Sequence, residues 1–234
     1  MDTDRPIDPI AAPLSRRRML RMSALAAGAM GLAACSTDKE PAALSNESTS
    51  EAASLGLHPD GYIVGALPKP TIEFTDFNNQ PYDLAADTDG RLTLLFFGYT
   101  SCPDQCPVYL DKIKSALRNA EGKVAATKVL FVGVDTARDT PEQMKQYLGA
   151  KNPDFIGLSA APEAIDEALA GLLLPSISIP EDTSGNYAVG HPTQAVVFTA
   201  DNLCHVMYPY DLRVSEWVEE LTKLVDFDWS QATS

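Results

Sequence analysis

Residues 92–99 form an apolar run, as in a strand covered on both faces, and residues 129–134 form a second. Between them Val108, Leu110, Ile113 and Leu117 recur at helical spacing, which predicts a helix to about Ala120 with Pro107 in its first turn. After the second run Thr140 can cap a helix that starts at Pro141 and continues through Met144, Tyr147 and Leu148. Residues 155–158 then read as a short strand and residues 162–172 as a helix. Residues 173–189, with their Pro, Ser and Gly, read as an inserted loop carrying a short strand at 177–179. Residues 195–199 and 206–208 form a strand pair around an Asp201-Asn202 turn, and residues 215–227 a closing helix with Trp217, Leu221 and Leu224 on its inner face. Ahead of all this, residues 71–77 alternate apolar and polar and turn through residues 78–81 into a short hairpin.

Strand, helix, strand, helix, two antiparallel strands and a final helix is a thioredoxin-like order. It predicts an α/β fold in which a central mixed sheet is flanked by helices and extended by an N-terminal β-hairpin. Right-handed crossovers put the strand at 92–99 in the middle of that sheet, with its carboxyl end at the edge where ligand chemistry gathers in open α/β sheets.

The first part of the chain reads as an address. Residues 15–20 are a twin-arginine-like basic region, and residues 22–33 are apolar but too short for an ordinary membrane-spanning helix. The stretch ends in Leu32-Ala33-Ala34-Cys35, which resembles a bacterial lipobox and implies cleavage before Cys35 and lipid on that residue. The expected organisation is a signal peptide at 1–34, a lipidated Cys35 with a flexible tether to 56, one domain at 57–229, and a short tail at 230–234. The expected location is the extracytoplasmic face of the cell membrane, through the lipid anchor. Lys and Arg number 18 against 32 Asp and Glu, a net charge of −14, and residues 1–34 remove five arginines but three aspartates from that balance. So acidic a surface repels nucleic acid and anionic lipid.

With Cys35 assigned to lipid, Cys102, Cys106 and Cys204 remain, an odd number that does not make a disulfide framework. A working dithiol with one buried bystander fits better. Cys102 and Cys106 fall where the central strand hands over to a helix, so helix N–H groups and dipole are expected to lower both thiol pKa values. Such thiols exchange disulfides or bind soft metals. The Cys-x-x-x-Cys spacing is one residue longer than in thioredoxin-type motifs and lets both sulfurs reach one ion, which favours metal binding.

Thioredoxin-like proteins carry a proline just before the strand that opens the terminal hairpin, beside the two cysteines. Here that place reads Gly190-His191-Pro192, so fold order brings His191 to the dithiol. Two thiolates and an imidazole suit Cu(I), tolerate Cu(II) and would also bind Zn(II). His58 is read as structural or merely exposed, Cys204 as buried and His205 as exposed or satisfied. For Asp135 and Asp139, ion pairing with Arg138 and the helix start at Thr140 are preferred to acid–base roles.

The blocks at 96–107, at 134–141 and around His191 resemble the Sco/SenC family of copper-binding assembly factors for cytochrome c oxidase, over roughly residues 65–225. The resemblance implies copper ligation by Cys102, Cys106 and His191. Two residues depart from it: Gly190 stands where the family usually has Asp, and Pro192 where it has Ser or Thr. The implied function is a metallochaperone that delivers copper to the oxidase subunit carrying the dinuclear copper site. Another copper chaperone or a thioredoxin-like reductase would be a further partner. The alternative is an enzyme, a thiol–disulfide reductase that keeps that subunit's cysteines reduced, with Cys102 attacking and Cys106 resolving.

Overall fold

The computed structural model describes residues 51–118 and 120–231. The expected signal peptide, Cys35, most of the tether and the last residues of the tail lie outside them. In chain order the elements are β1 (Tyr62–Pro68), β2 (Phe74–Asp76), β3 (Pro81–Tyr82), β4 (Thr93–Gly98), α1 (Gln105–Leu117), α2 (Gly122–Ala125), β5 (Lys128–Gly133), α3 (Pro141–Lys151), β6 (Ile156–Ser159), α4 (Pro162–Gly171), β7 (Gln194–Phe198), β8 (Leu203–Pro209) and α5 (Val214–Leu224). A 3-10 turn at Trp229–Gln231 follows.

All eight strands join one sheet in the order β1-β8-β7-β4-β5-β6-β2-β3. Strand β4 is parallel to β5 and antiparallel to β7, and β5 is parallel to β6. The sheet is therefore mixed and thioredoxin-like as expected, and every residue of β4 is buried. The predicted hairpin is β2 paired with β3, added to the sheet edge through β6. Helix α1 packs against α5 and α3. Its Tyr109 ring stacks on Phe96 of β4 at 4.3 Å and meets Trp217 of α5 edge-on at 6.1 Å, which locks α1 between sheet and terminal helix.

Three features differ from the expectation. Strand β1, which pairs with β8 as the opposite edge, was not anticipated. Gly65 at positive φ and Pro68 break its apolar pattern, and its register shifts between Ile63 and Leu67. Residues 51–54, assigned to the flexible tether, are helical, and Ala52 and Leu57 are buried. His58 beside them takes the structural option: it is half-buried, its backbone N–H donates to Glu220 Oε2 at 2.9 Å and its Nε2 lies 3.4 Å from Glu216 Oε1. Glu220 is itself buried and also accepts from Tyr208 Oη at 2.5 Å and Lys223 Nζ at 2.9 Å, so one carboxylate joins the start of the domain to β8 and α5. Lastly, no strand forms at 177–179. A single two-bond bridge joins Ser178 and Gly190 backbones instead, at 2.9 and 2.8 Å.

Thr140 caps α3 as predicted, with its Oγ1 accepting from Gln143 N–H at 3.2 Å. Thr140→Ala leaves that N–H without its partner, and a loss of about 1 kcal/mol in unfolding free energy is expected from urea titration.

Candidate metal centre

Strand β4 ends at Gly98, and the chain turns through residues 99–104 before α1 begins at Gln105. Cys102 lies in the turn and Cys106 at the second position of the helix, so the sulfurs face each other across the first helical turn. Cys106 is buried and Cys102 half-buried. The free N–H of Cys106 points at Cys102 Sγ at 3.5 Å. Such helix-terminal N–H groups have no intrahelical acceptor and favour a negative sulfur. His191 comes from the segment before β7, and its Nε2 lies 3.8 Å from Cys106 Sγ. The three candidate ligand atoms all lie within 4.8 Å of one another, the one such group of three or more His, Cys, Asp or Glu side chains among the described residues.

The two thiols differ, contrary to the expectation that both would be acidic. The Cys102 pKa is pulled down to about 4, above all because the Cys106 thiol donates a hydrogen bond to it, with backbone N–H groups of Cys106 and Asp104 adding to this against the effect of burial. Cys106 is shifted upward by that same hydrogen bond, by burial, and by the thiolate beside it. At neutral pH the pair thus holds one thiolate and one thiol that shares its proton.

His191 is oriented by its surroundings. Its Nδ1 lies 2.8 Å from the Pro192 carbonyl oxygen, which can only accept, so Nδ1 carries the proton and Nε2 turns a lone pair toward the sulfurs. Tyr99 and Phe96 meet the imidazole edge-on, with centroids 5.5 and 6.0 Å away. The bond before Pro192 is trans, as are all peptide bonds among the described residues.

The loop after β5 buttresses this edge. Asp139 is buried and accepts from Thr100 N–H at 2.8 Å, Thr100 Oγ1 at 2.7 Å and Asp135 N–H at 3.0 Å. Burial raises its pKa despite these donors. Asp135 forms the expected ion pair with Arg138, whereas Asp139 holds the turn leading to Cys102. Tyr187, from the inserted loop, donates to Asp135 Oδ1 at 2.9 Å. Sequence reasoning gave no role to Tyr99, Thr100 or Tyr187, because their partners lie far away along the chain. Cys204 is buried, its thiol donating to the Val206 carbonyl at 3.5 Å. His205 is satisfied by Asp201 at 2.9 Å and stacks on Trp229 at 4.3 Å, so the two residues form no second ligand pair.

At Gly98 an added Cβ would fall 2.8 Å from Cys106 Sγ and 2.8 Å from the Phe131 ring. Gly98→Ala therefore displaces the Cys106 sulfur, and a loss of about 1–3 kcal/mol of stability together with faster Cys106 alkylation is expected. Because folding depresses the Cys102 pKa, the stability contributed by this thiolate is complete above the ordinary thiol pKa near 9 and is lost as pH falls toward about 4. Stability of the reduced protein should rise with pH across that window, and the rise should shrink in Cys102→Ser when both are unfolded in denaturant at several pH values.

Comparisons with known proteins agree with this architecture. Bradyrhizobium japonicum ScoI, solved with copper bound, is 30% identical and superposes with a TM-score of 0.56 over 69% of this chain and 99% of its own. Apo Sco1 from Thermus thermophilus, also 30% identical, gives 0.58 over 69% of this chain and 94% of its own. The mitochondrial SCO2 homolog of Bos taurus is 32% identical over 120 residues, 50% of this chain and 45% of that protein. The chain spans about half the length of the curated relatives it matches. The family model described as SCO1/SenC matches residues 69–226, and the chain therefore belongs to the SCO1/SenC family.

Proposed function

We propose that the protein is a copper metallochaperone that holds one ion between Cys102 Sγ, Cys106 Sγ and His191 Nε2 and delivers it to the dinuclear copper site of a cytochrome c oxidase subunit. The observation that carries this reading is the convergence of those three atoms within 4.8 Å at one sheet edge, with the imidazole lone pair directed inward. Copper-bound ScoI from Bradyrhizobium japonicum supports the choice of metal. Two soft sulfurs and one imidazole match Cu(I), tolerate Cu(II) and offer little to hard cations.

The chain's residues divide the work. Cys102 meets the ion already deprotonated, and Cys106 gives up the shared proton as metal arrives. His191, held by Pro192, supplies the neutral third donor. Three donors leave copper under-coordinated, and Cys102 and His191 are both partly open to solvent, so an acceptor's ligands can enter before these leave. Lipidation at Cys35 would keep the domain at the extracytoplasmic membrane face near such an acceptor. Among the described residues no helix is long and apolar enough to cross a membrane.

The unequal thiols favour a second reading, a thiol–disulfide reductase. Cys102 thiolate would attack a disulfide of the oxidase subunit, and Cys106 would then close the intramolecular disulfide and release the partner's two cysteines reduced. A thioredoxin-like reductase would be needed to regenerate the dithiol.

Anaerobic titration of the reduced protein with Cu(I) against a competing chelator separates the two. Tight one-to-one binding is expected, weakened in His191→Ala by more than the roughly 10- to 100-fold that loss of a supporting outer contact costs, while dithiol exchange survives. Weak binding indifferent to His191 would overturn the chaperone and leave the reductase.

A further inference from the structure

His191 is delivered by the last part of a long irregular segment between α4 and β7, whose start is anchored by buried Leu172 and Leu174 and by Ile177 packed against the core. The Ser178–Gly190 bridge joins the segment only to itself. Residues 180–186 are all exposed. Toward its end the strap is fastened by Tyr187, by Val189, whose side chain is buried, and by buried Pro192 beside His191.

Tyr187 is held in three ways by the loop following β5. The Arg138 guanidinium lies over its ring, 3.5 Å from the centroid. Arg138 Nη2 also donates to the Tyr187 carbonyl at 3.1 Å, and Tyr187 Oη donates to Asp135 Oδ1 at 2.9 Å. Arg138 is itself fixed by its ion pair to the fully buried Asp135, so the clamp stands on the end of a central strand and not on another loop. The same guanidinium lies 5.8 Å from the Tyr99 ring centroid, and Tyr99 in turn meets the His191 imidazole edge-on.

We propose that Tyr187, clamped by Arg138, is a positioning residue that holds the strap carrying His191 over the two thiols. This rests on the reading of Cys102, Cys106 and His191 as the copper ligands. Tyr187 touches neither sulfur and does not bind the ion. Its effect is to raise the fraction of molecules in which Nε2 already faces Cys106. A ligand's apparent affinity falls in proportion to the fraction of protein in the binding-competent arrangement. A cation–π contact partly withdrawn from water, reinforced by two hydrogen bonds, is strong enough to set that fraction. The strap can then loosen without unfolding the sheet, because the sheet's own ladders do not pass through it.

The test is a mutant cycle read by anaerobic Cu(I) competition on the reduced full-length chain. Truncating Arg138 would leave buried Asp135 unpaired, so the substitution is made at Tyr187. Tyr187→Ala is expected to weaken Cu(I) binding about tenfold in the wild-type background and to have no further effect in His191→Ala. Tyr187→Phe keeps the stacked ring and the carbonyl contact and should stay near wild type. The urea midpoint should move little in either variant. Unchanged affinity in Tyr187→Ala, or an equal loss with and without His191, would overturn the positioning role while leaving the ligand assignment intact. If His191→Ala alone left affinity unchanged, the ligand assignment would fail first and take the positioning role with it.

Discussion

The buried carboxylate of Asp139 accepts hydrogen bonds from Thr100 N–H, Thr100 Oγ1 and Asp135 N–H. Parallel pairing of β4 with β5 brings the ends of both strands to one edge, and Val134 N–H extends the ladder to the Gly98 carbonyl. Beyond that bond the two chains diverge into loops, and Asp139 holds them together. One loop leads to Cys102 and the other to Arg138 and the cap of α3. A carboxylate withdrawn from water is costly unless its lone pairs are occupied, so the loops must close around it in one arrangement. The dithiol turn is therefore part of the rigid core edge, although its sulfurs approach solvent.

On that edge the chemistry arises from unequal environments for like groups. Cys102 collects helix N–H groups and a donated thiol hydrogen, whereas Cys106 lies beneath it against Gly98 and Phe131. One sulfur is ready to react and the other is held in reserve, which serves metal capture and disulfide exchange alike. The imidazole distinguishes the two uses. Its Nδ1 hydrogen is engaged by a carbonyl and its Nε2 lone pair faces the sulfurs, as in a metal ligand steadied by a backbone acceptor.

Much of this was legible in the chain. The apolar runs before Cys102 and Asp135, the Thr140-Pro141 helix start and the helical spacing after Pro107 each named an element that formed. Placing His191 beside the dithiol needed only element order, because topology fixes which loops share an edge. What escaped reading depended on partners distant in sequence. Strand β1 exists because β8 offers it an edge, and its Gly65 and Pro68 hide the alternation. The burial of Ala52 and the pairing of His58 with Glu220 depend on α5, which lies at the other end of the chain. The inequality of the two thiols follows first from the hydrogen bond that Cys106 donates to Cys102 and then from the deeper burial of Cys106, neither of which spacing alone reports. Tyr187 looked like a loop residue until Arg138 lay on its face.

The outer strands carry a further meaning. At one margin β3 has only two residues, and one of them is Pro81, which offers no N–H to a newcomer. At the other, β1 is interrupted by its shifted register and closes at Pro68. An eight-stranded sheet with long, regular margins would template strand addition by neighbouring copies. Both margins here are cut short or bent, so neither offers a long, regular ladder to a strand of a neighbouring copy.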